Sequence, residues 1–231
     1  MSSLTKSPNI QKTNGVSENK TNNAIELKFA HHMPKNSLLH QSAMRYASEV
    51  SEKTNGKVKI TVYPNQVLGN SQEMLELSRH GDIDILITPT AKMSIAVPSM
   101  QYVDLPFLFP SNEDVYTLLD GKVGDMLLRK LNNIDLLGIA FWEGGFKNFT
   151  SNKPLRKIED LKDLKIRVMK SRIIKEQFYA LGAKPIAIDF QKTKQALKDG
   201  AVDAQENPLN AIVDMKFYEV QTNTTLSNHA F

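Results

Sequence analysis

Two stretches far apart in the chain share one construction. "LELSRHGDIDI" and "KQALKDGAVDA" each close a helix-period pattern on a glycine, Gly81 or Gly200, and each places an aspartate three residues later, Asp84 or Asp203. Glycine there supplies the left-handed backbone that ends a helix, so each stretch reads as a helix handing over to a strand. The preceding order is echoed too. Before the first come a strand in "IELKF", with Ile25, Leu27 and Phe29 alternating against Glu26 and Lys28, and a helical stripe of Leu39, Ala43, Met44, Ala47 and Val50 stopped by Asn55-Gly56. A second strand, "KVKITV", follows. Before the second come "LKIRV", the helix "SRIIKEQFYALGA" and the strand "KPIAI". Strands and helices alternating with short connections specify a largely parallel sheet covered by helices. Doing so twice predicts an α/β protein of two lobes with a cleft between them.

The remaining signals divide the chain. Residues 25–144 make lobe I, with a helix opened by the Asn70 and Glu73 capping box, a capped helix from about Asn112 to Leu131, and a buried-looking strand in "IDLLGIAFW". Residues 145–231 make lobe II. Residues 1–24, rich in Ser, Thr, Asn and Lys, read as a disordered lead-in and lack the apolar middle of a secretory signal.

Several chemistries find no support. The chain has no cysteine, which removes disulfides and thiolate chemistry. Its five histidines, His31, His32, His40, His80 and His229, show no HExxH spacing, so no metal site is expected. A net charge of +4 reflects lysines scattered among acids rather than a basic face, so no nucleic-acid partner is expected. No apolar run is long enough to span a membrane. There is no GxxxxGK[ST] loop and no GxSxG elbow, and Gly144-Gly145 runs into Phe146 and Lys147 rather than a helix. No cofactor and no enzymatic turnover are expected.

Three polar residues fall where the two lobes would face each other. Arg167 lies on a strand whose Leu164, Ile166 and Val168 point one way and whose Lys165, Arg167 and Met169 point the other. Asn207 ends "DAQEN" before Pro208, and Lys147 sits in the "GGFKNFTSN" loop between the lobes. An arginine presents a planar fork that matches a carboxylate with two parallel hydrogen bonds, which lysine cannot imitate. Taken alone, an arginine on a strand's polar face more often simply faces water.

Beyond this, "TNGKVKITVYPNQVLG", "GGFKNFTSNKPL", "DLKIRVM", "ALGAKPI", "ALKDGAVDAQENP" and "KFYEVQ" together resemble, in order and spacing, the solute-binding subunits of tripartite ATP-independent periplasmic (TRAP) transporters, above all the four-carbon dicarboxylate type. The resemblance runs from about Ile25 to Phe231. It implies a periplasmic-binding-protein-like fold whose lobes close on a hinge over a small organic acid, probed by the transporter's membrane subunits, in a periplasmic monomer. It implies that Arg167 pairs the ligand carboxylate and Asn207 adds a hydrogen bond. It further implies that Lys147, His32, Phe190 and Lys92 lie near the ligand.

Departures from the pattern are visible. Lys147 stands where arginine is frequent, Lys170 where a small or amide residue is common, and Asp163 where glycine usually ends a helix. The family pattern also continues beyond "TLSNHAF", so the chain reads as a receptor whose C-terminal portion is missing. Two other readings stay open: an enzyme acting on an organic acid with His32 as acid or base, and a fragment too short to bind.

Overall fold

Alternation of β-branched and charged residues builds the first sheet where the sequence placed it. The structure, a computed structural model, describes residues 24–231; the lead-in expected over residues 1–24 lies, but for Ala24, outside them. Strand β1 (Ile25–His31), helix α1 (Leu38–Lys53), strand β2 (Val58–Tyr63), helix α2 (Ser71–Arg79) and strand β3 (Ile85–Ile87) follow in order. The three strands form a parallel sheet in the order β2-β1-β3. Short helix α3 (Thr90–Met93), a 3-10 stretch Pro98–Asp104, and helices α4 (Asn112–Leu119) and α5 (Lys122–Arg129) complete this lobe. The helix expected over 112–131 is thus two. Gly124 lets them meet, because a Cβ there would stand 1.8 Å from the Leu119 carbonyl oxygen.

Lobe II carries β4 (Lys147–Ser151), β5 (Lys165–Val168), α6 (Arg172–Ala180), β6 (Lys184–Ala187), α7 (Thr193–Lys198), β7 (Ala204–Pro208), α8 (Leu209–Asp214) and β8 (Asn223–Ala230). Its sheet has the order β6-β5-β7-β4-β8, with β5 parallel to β6 and β7, and β4 antiparallel to β7 and β8. Phe149, Ile166, Val168, Ile174, Phe178 and Ala204 fill its core. Lobe I has its own, around Leu75, Met100, Val103, Val115, Leu119 and Leu127.

The echo in the sequence has a structural cause. Gly81 and Gly200 adopt φ of +82° and +68° at the two helix ends. The aspartates that follow hold the next strand to its neighbour: Asp84 Oδ2 accepts from the Lys28 backbone N–H at 2.7 Å, and Asp203 Oδ2 from that of Lys165 at 2.9 Å. The Asn70 capping box forms as expected, with Glu73 Oε2 accepting from the Asn70 N–H at 2.7 Å. Asp163 takes the left-handed conformation, φ 61°, that its replacement of glycine requires.

One expected element is absent. "IDLLGIAFW" runs through residues 136–142 without regular secondary structure and joins no sheet, and Leu137 and Ile139 are 79% and 72% exposed. Its apolar pattern suits a strand, but no strand lies beside it among the described residues, and a ladder needs two partners.

The lobes meet in several places. Met33, just past β1, is buried among Phe190, Leu197, Val202 and Phe217 of lobe II. The end of β8 returns to lobe I, where the Phe107 N–H donates to the His229 carbonyl at 2.8 Å and Phe231 packs edge-on against Phe109 and Phe146.

Candidate functional site

Arg167 sits on the central strands of the second sheet, paired with Ile186 on one side and Gln205 on the other. Its exposure is 0%. Ile166 and Val168 point into the lobe II core, so alternation turns Arg167 to the opposite face. That face is not wet: the side chain is covered by the 188–190 segment, whose Ile188 carbonyl accepts from Arg167 Nε at 3.0 Å, and the guanidinium carbon lies 5.8 Å from the centre of the Phe190 ring. Both terminal nitrogens, Nη1 and Nη2, are shielded from solvent and have no hydrogen-bond partner among the described residues. Burial pushes the guanidinium down to about 10, opposed by the carboxylates of Glu206 and Asp189. It stays cationic at neutral pH, with its planar fork held fixed and unused.

Around it the structure gathers four of the other five expected residues. The register that sets Gln205 beside Arg167 puts Asn207, two residues on, on the same face of β7. Asn207 Nδ2 donates to Gln205 Oε1, and Gln205 Nε2 donates to Thr150 Oγ1 at 2.9 Å. This amide relay orients Asn207. Phe190 opens a short 3-10 turn capped by Asp189, which accepts from the Gln191 N–H at 3.1 Å. From lobe I, the His32 ring packs edge-on against Phe190, centroids 5.4 Å apart. Burial, then His31, and less strongly Lys92 and Arg167, lower His32 to about 4, so its imidazole is neutral at physiological pH. Lys92, on α3, feels burial first and the Arg167 charge second, both lowering it. His32, Lys92 and Arg167 thus share one electrostatic environment drawn from both lobes.

Lys147 is placed differently. It opens β4 rather than lying in a loop, and the antiparallel register sets it opposite Pro208, on the face that carries Phe149 and Glu206 rather than Arg167. Lys147 is buried, and its ammonium lies 3.3 Å from Asp104 Oδ1 and 3.8 Å from Glu206 Oε2. Burial lowers its pKa, but Glu206 and Asp104 outweigh that and raise it. For Glu206, burial works upward, and Lys147 and His229 outweigh it, so the carboxyl is lowered. His229 completes the group, its Nε2 3.6 Å from Glu206 Oε2 and its ring stacked on Phe149 at 4.3 Å. The positive charge expected to help clamp a ligand is therefore engaged by two carboxylates beneath the sheet.

Sequence reasoning passed over Gln205, Glu206, Asp104 and Gln191. Gln205 and Asn207 share a strand face two residues apart, a period-two signal that was available. Asp104 and Gln191 gave no local signal, since their partners, Lys147 and the His32 carbonyl, are far away in the chain. Among the described residues no cluster of His, Asp and Glu has the makeup of a metal site.

Residues 29–231 match the family described as bacterial extracellular solute-binding protein, family 7. A C4-dicarboxylate-binding protein of Bacillus subtilis is 36% identical over 208 residues, covering 90% of this chain and 59% of that protein. A TRAP periplasmic solute-binding protein from Sulfurospirillum deleyianum, solved with bound succinate, superposes with a TM-score of 0.87 at 38% identity, covering 90% of this chain and 67% of that one. A sugar-acid-binding protein from Advenella mimigardefordensis, solved with galactonate, superposes with a TM-score of 0.87 at 35% identity, with the same 90% and 67% coverage. The chain spans less than two thirds of the length of the curated relatives it matches first, 63%, 59% and 62%.

Proposed function

Because the chain belongs to the bacterial extracellular solute-binding proteins of family 7, we propose that it is the receptor of a TRAP transporter, binding a small organic acid, a dicarboxylate above all, between residues 25–144 and 145–231. The observation that carries this is Arg167: a wholly buried guanidinium with Nε satisfied and both Nη nitrogens unpaired among the described residues. A buried cation without its counter-charge typically costs about 3–5 kcal/mol, and a carboxylate meeting both nitrogens in the plane of the fork repays that cost. Asn207, held by Gln205, adds a hydrogen bond to the same anion. Lys92 contributes positive charge, while Phe190 and the His32 ring wall off the apolar middle of the ligand.

The acid is drawn from water by closure of the lobes. A ligand touching Arg167 on one lobe and His32 on the other binds the closed form better than the open one, and so selects it. Closure then presents membrane subunits with a surface that reports occupancy. The protein acts in the periplasm as a monomer and catalyses no reaction in this reading.

Isothermal titration with succinate, malate, fumarate, a 2-oxo acid and a sialic acid tests it. Saturable binding with the acid recovered unchanged is the expected result. Product formation overturns the receptor reading in favour of an enzyme, and absence of heat with every acid overturns it in favour of a non-binding fragment.

A further inference from the structure

A single short turn meets both walls of the site. Ile188 gives its carbonyl to Arg167 Nε at 3.0 Å, the Phe190 ring faces the guanidinium and packs edge-on against His32, and Gln191 Nε2 donates to the His32 carbonyl at 2.9 Å. Asp189 stands in the middle of them. Its Oδ1 accepts from the Gln191 N–H at 3.1 Å, and its own carbonyl accepts from the Lys192 N–H and the Thr193 hydroxyl, each at 3.1 Å. A capping carboxylate fixes the backbone that follows it, so one side chain sets where Phe190 and Gln191 point.

The same placement gives Asp189 an electrostatic role. Residues 188–190 cover the face of the sheet on which Arg167 lies, whereas Glu206, the other acid acting on the guanidinium, lies on the opposite face against Lys147. Asp189 is therefore on the ligand's side of the sheet. Its charge works to raise Lys92 and Arg167 against the burial that lowers both, yet among the described residues no group pairs the two Nη nitrogens directly. A cationic site needs counter-charge while it is empty, and whatever supplies it repels the anion that comes to fill the site.

Resting on the reading of Arg167 as a carboxylate anchor, we infer that Asp189 is an affinity-setting residue: its carboxylate holds the 188–193 turn in place and serves as counter-charge to Arg167 and Lys92 until an acid arrives. The two functions oppose each other in binding. Holding the turn favours the acid, because Phe190 and Gln191 are already positioned when it enters. The charge disfavours it, because two carboxylates then share the low-dielectric space around one guanidinium. That repulsion keeps the acid releasable, as a receptor that hands its ligand on requires.

Asparagine and serine cap as aspartate does but carry no charge, and alanine neither caps nor carries charge, so substitutions at this position separate the two functions. Isothermal titration at pH 7 is run on the unaltered chain, on Asp189→Asn and on Asp189→Ala with succinate, or with the tightest-binding of the five acids above where succinate gives no heat. Asp189→Asn is expected to bind roughly three- to tenfold more tightly than the unaltered chain. Asp189→Ala is expected to bind roughly two- to tenfold more weakly than Asp189→Asn. Asp189→Ser replaces the asparagine variant if that one fails to fold. A residue with only a structural task weakens binding in every variant, so an affinity in Asp189→Asn equal to or below that of the unaltered chain overturns the counter-charge. Equal affinities in Asp189→Ala and Asp189→Asn overturn the hold on the turn. Either result leaves the Arg167 anchor standing. If the unaltered chain binds none of the five acids, the receptor reading itself falls, and this inference with it.

Discussion

Lys147 Nζ lies 3.3 Å from Asp104 Oδ1, and the two side chains, contributed by different lobes, are only 6% and 2% exposed. With Glu206 at 3.8 Å on the other side, the ammonium neutralises two buried carboxylates at the junction of the lobes. A buried ion pair is weak evidence of net stabilisation, but breaking one from a single side leaves charge stranded in low dielectric. Lys147→Ala is therefore expected to lower the unfolding free energy by about 3–5 kcal/mol. Urea unfolding followed by circular dichroism measures this. An unchanged midpoint would show that Asp104 and Glu206 are content without the lysine.

Arg167 makes the complementary case, a residue whose loss harms ligand more than fold. Arg167→Lys keeps the charge but loses the second parallel donor and the bond from Nε to the Ile188 carbonyl. Acid affinity is expected to fall by at least about tenfold, with the far-ultraviolet spectrum unchanged. The drop is expected to exceed that of Lys147→Ala when both are titrated with the same acid. The reverse order would show that the wrong cation has been named as anchor.

Gln191 ties the lobes together directly. Its Nε2 donates to the His32 carbonyl at 2.9 Å, across the line where the ligand is proposed to sit. An ordinary hydrogen bond contributes about 0.5–1.5 kcal/mol net, so Gln191→Ala is expected to weaken acid binding by roughly two- to tenfold through loss of the closed form. Titration calorimetry reads the affinity, and small-angle scattering of the unliganded variant reads the opening. Wild-type values in both would remove Gln191 from any part in closure.

Acid sensitivity follows from the paired histidines at the end of β1. Burial, reinforced by His40 for His31 and by His31 for His32, takes both from 6.5 to about 4. The unfolded chain binds these protons as pH falls through 6.5, whereas the folded chain resists until about 4. The unfolded state therefore binds more protons in that window, and stability is whole above pH 6.5 and declines progressively toward pH 4. The His31 Nε2 to His40 Nδ1 contact at 3.0 Å sharpens the effect, since it holds one proton and not two. Urea midpoints measured at pH 7 and pH 5 are expected to differ, and His31→Gln to narrow the gap. A flat profile would mean that the two rings titrate normally.

Much of the fold was legible because it is written in local periods. Alternation in "IELKF" and "LKIRV", the Asn70 and Glu73 box, and the glycine and aspartate spacings at 81–84 and 200–203 each state a conformation within a few residues, and each is found. "IDLLGIAFW" failed because its alternation describes a strand's faces and cannot supply the neighbour whose backbone completes a ladder. Lys147 eluded the same logic, since a lysine's charge is spent or free depending on what arrives opposite it.

Sequence alone determined the two strand-helix-strand runs and their order in two α/β lobes, and that Arg167 turns away from the hydrophobic side of its strand. Only the tertiary structure decided that this second side is also sealed, that the Ile188 carbonyl takes one arginine nitrogen and leaves two unmatched, and that Asp104 claims Lys147. The difference has one physical source. Helix and strand propensities act between residues a few positions apart, whereas burial and charge pairing are set by segments that meet only after the chain has folded.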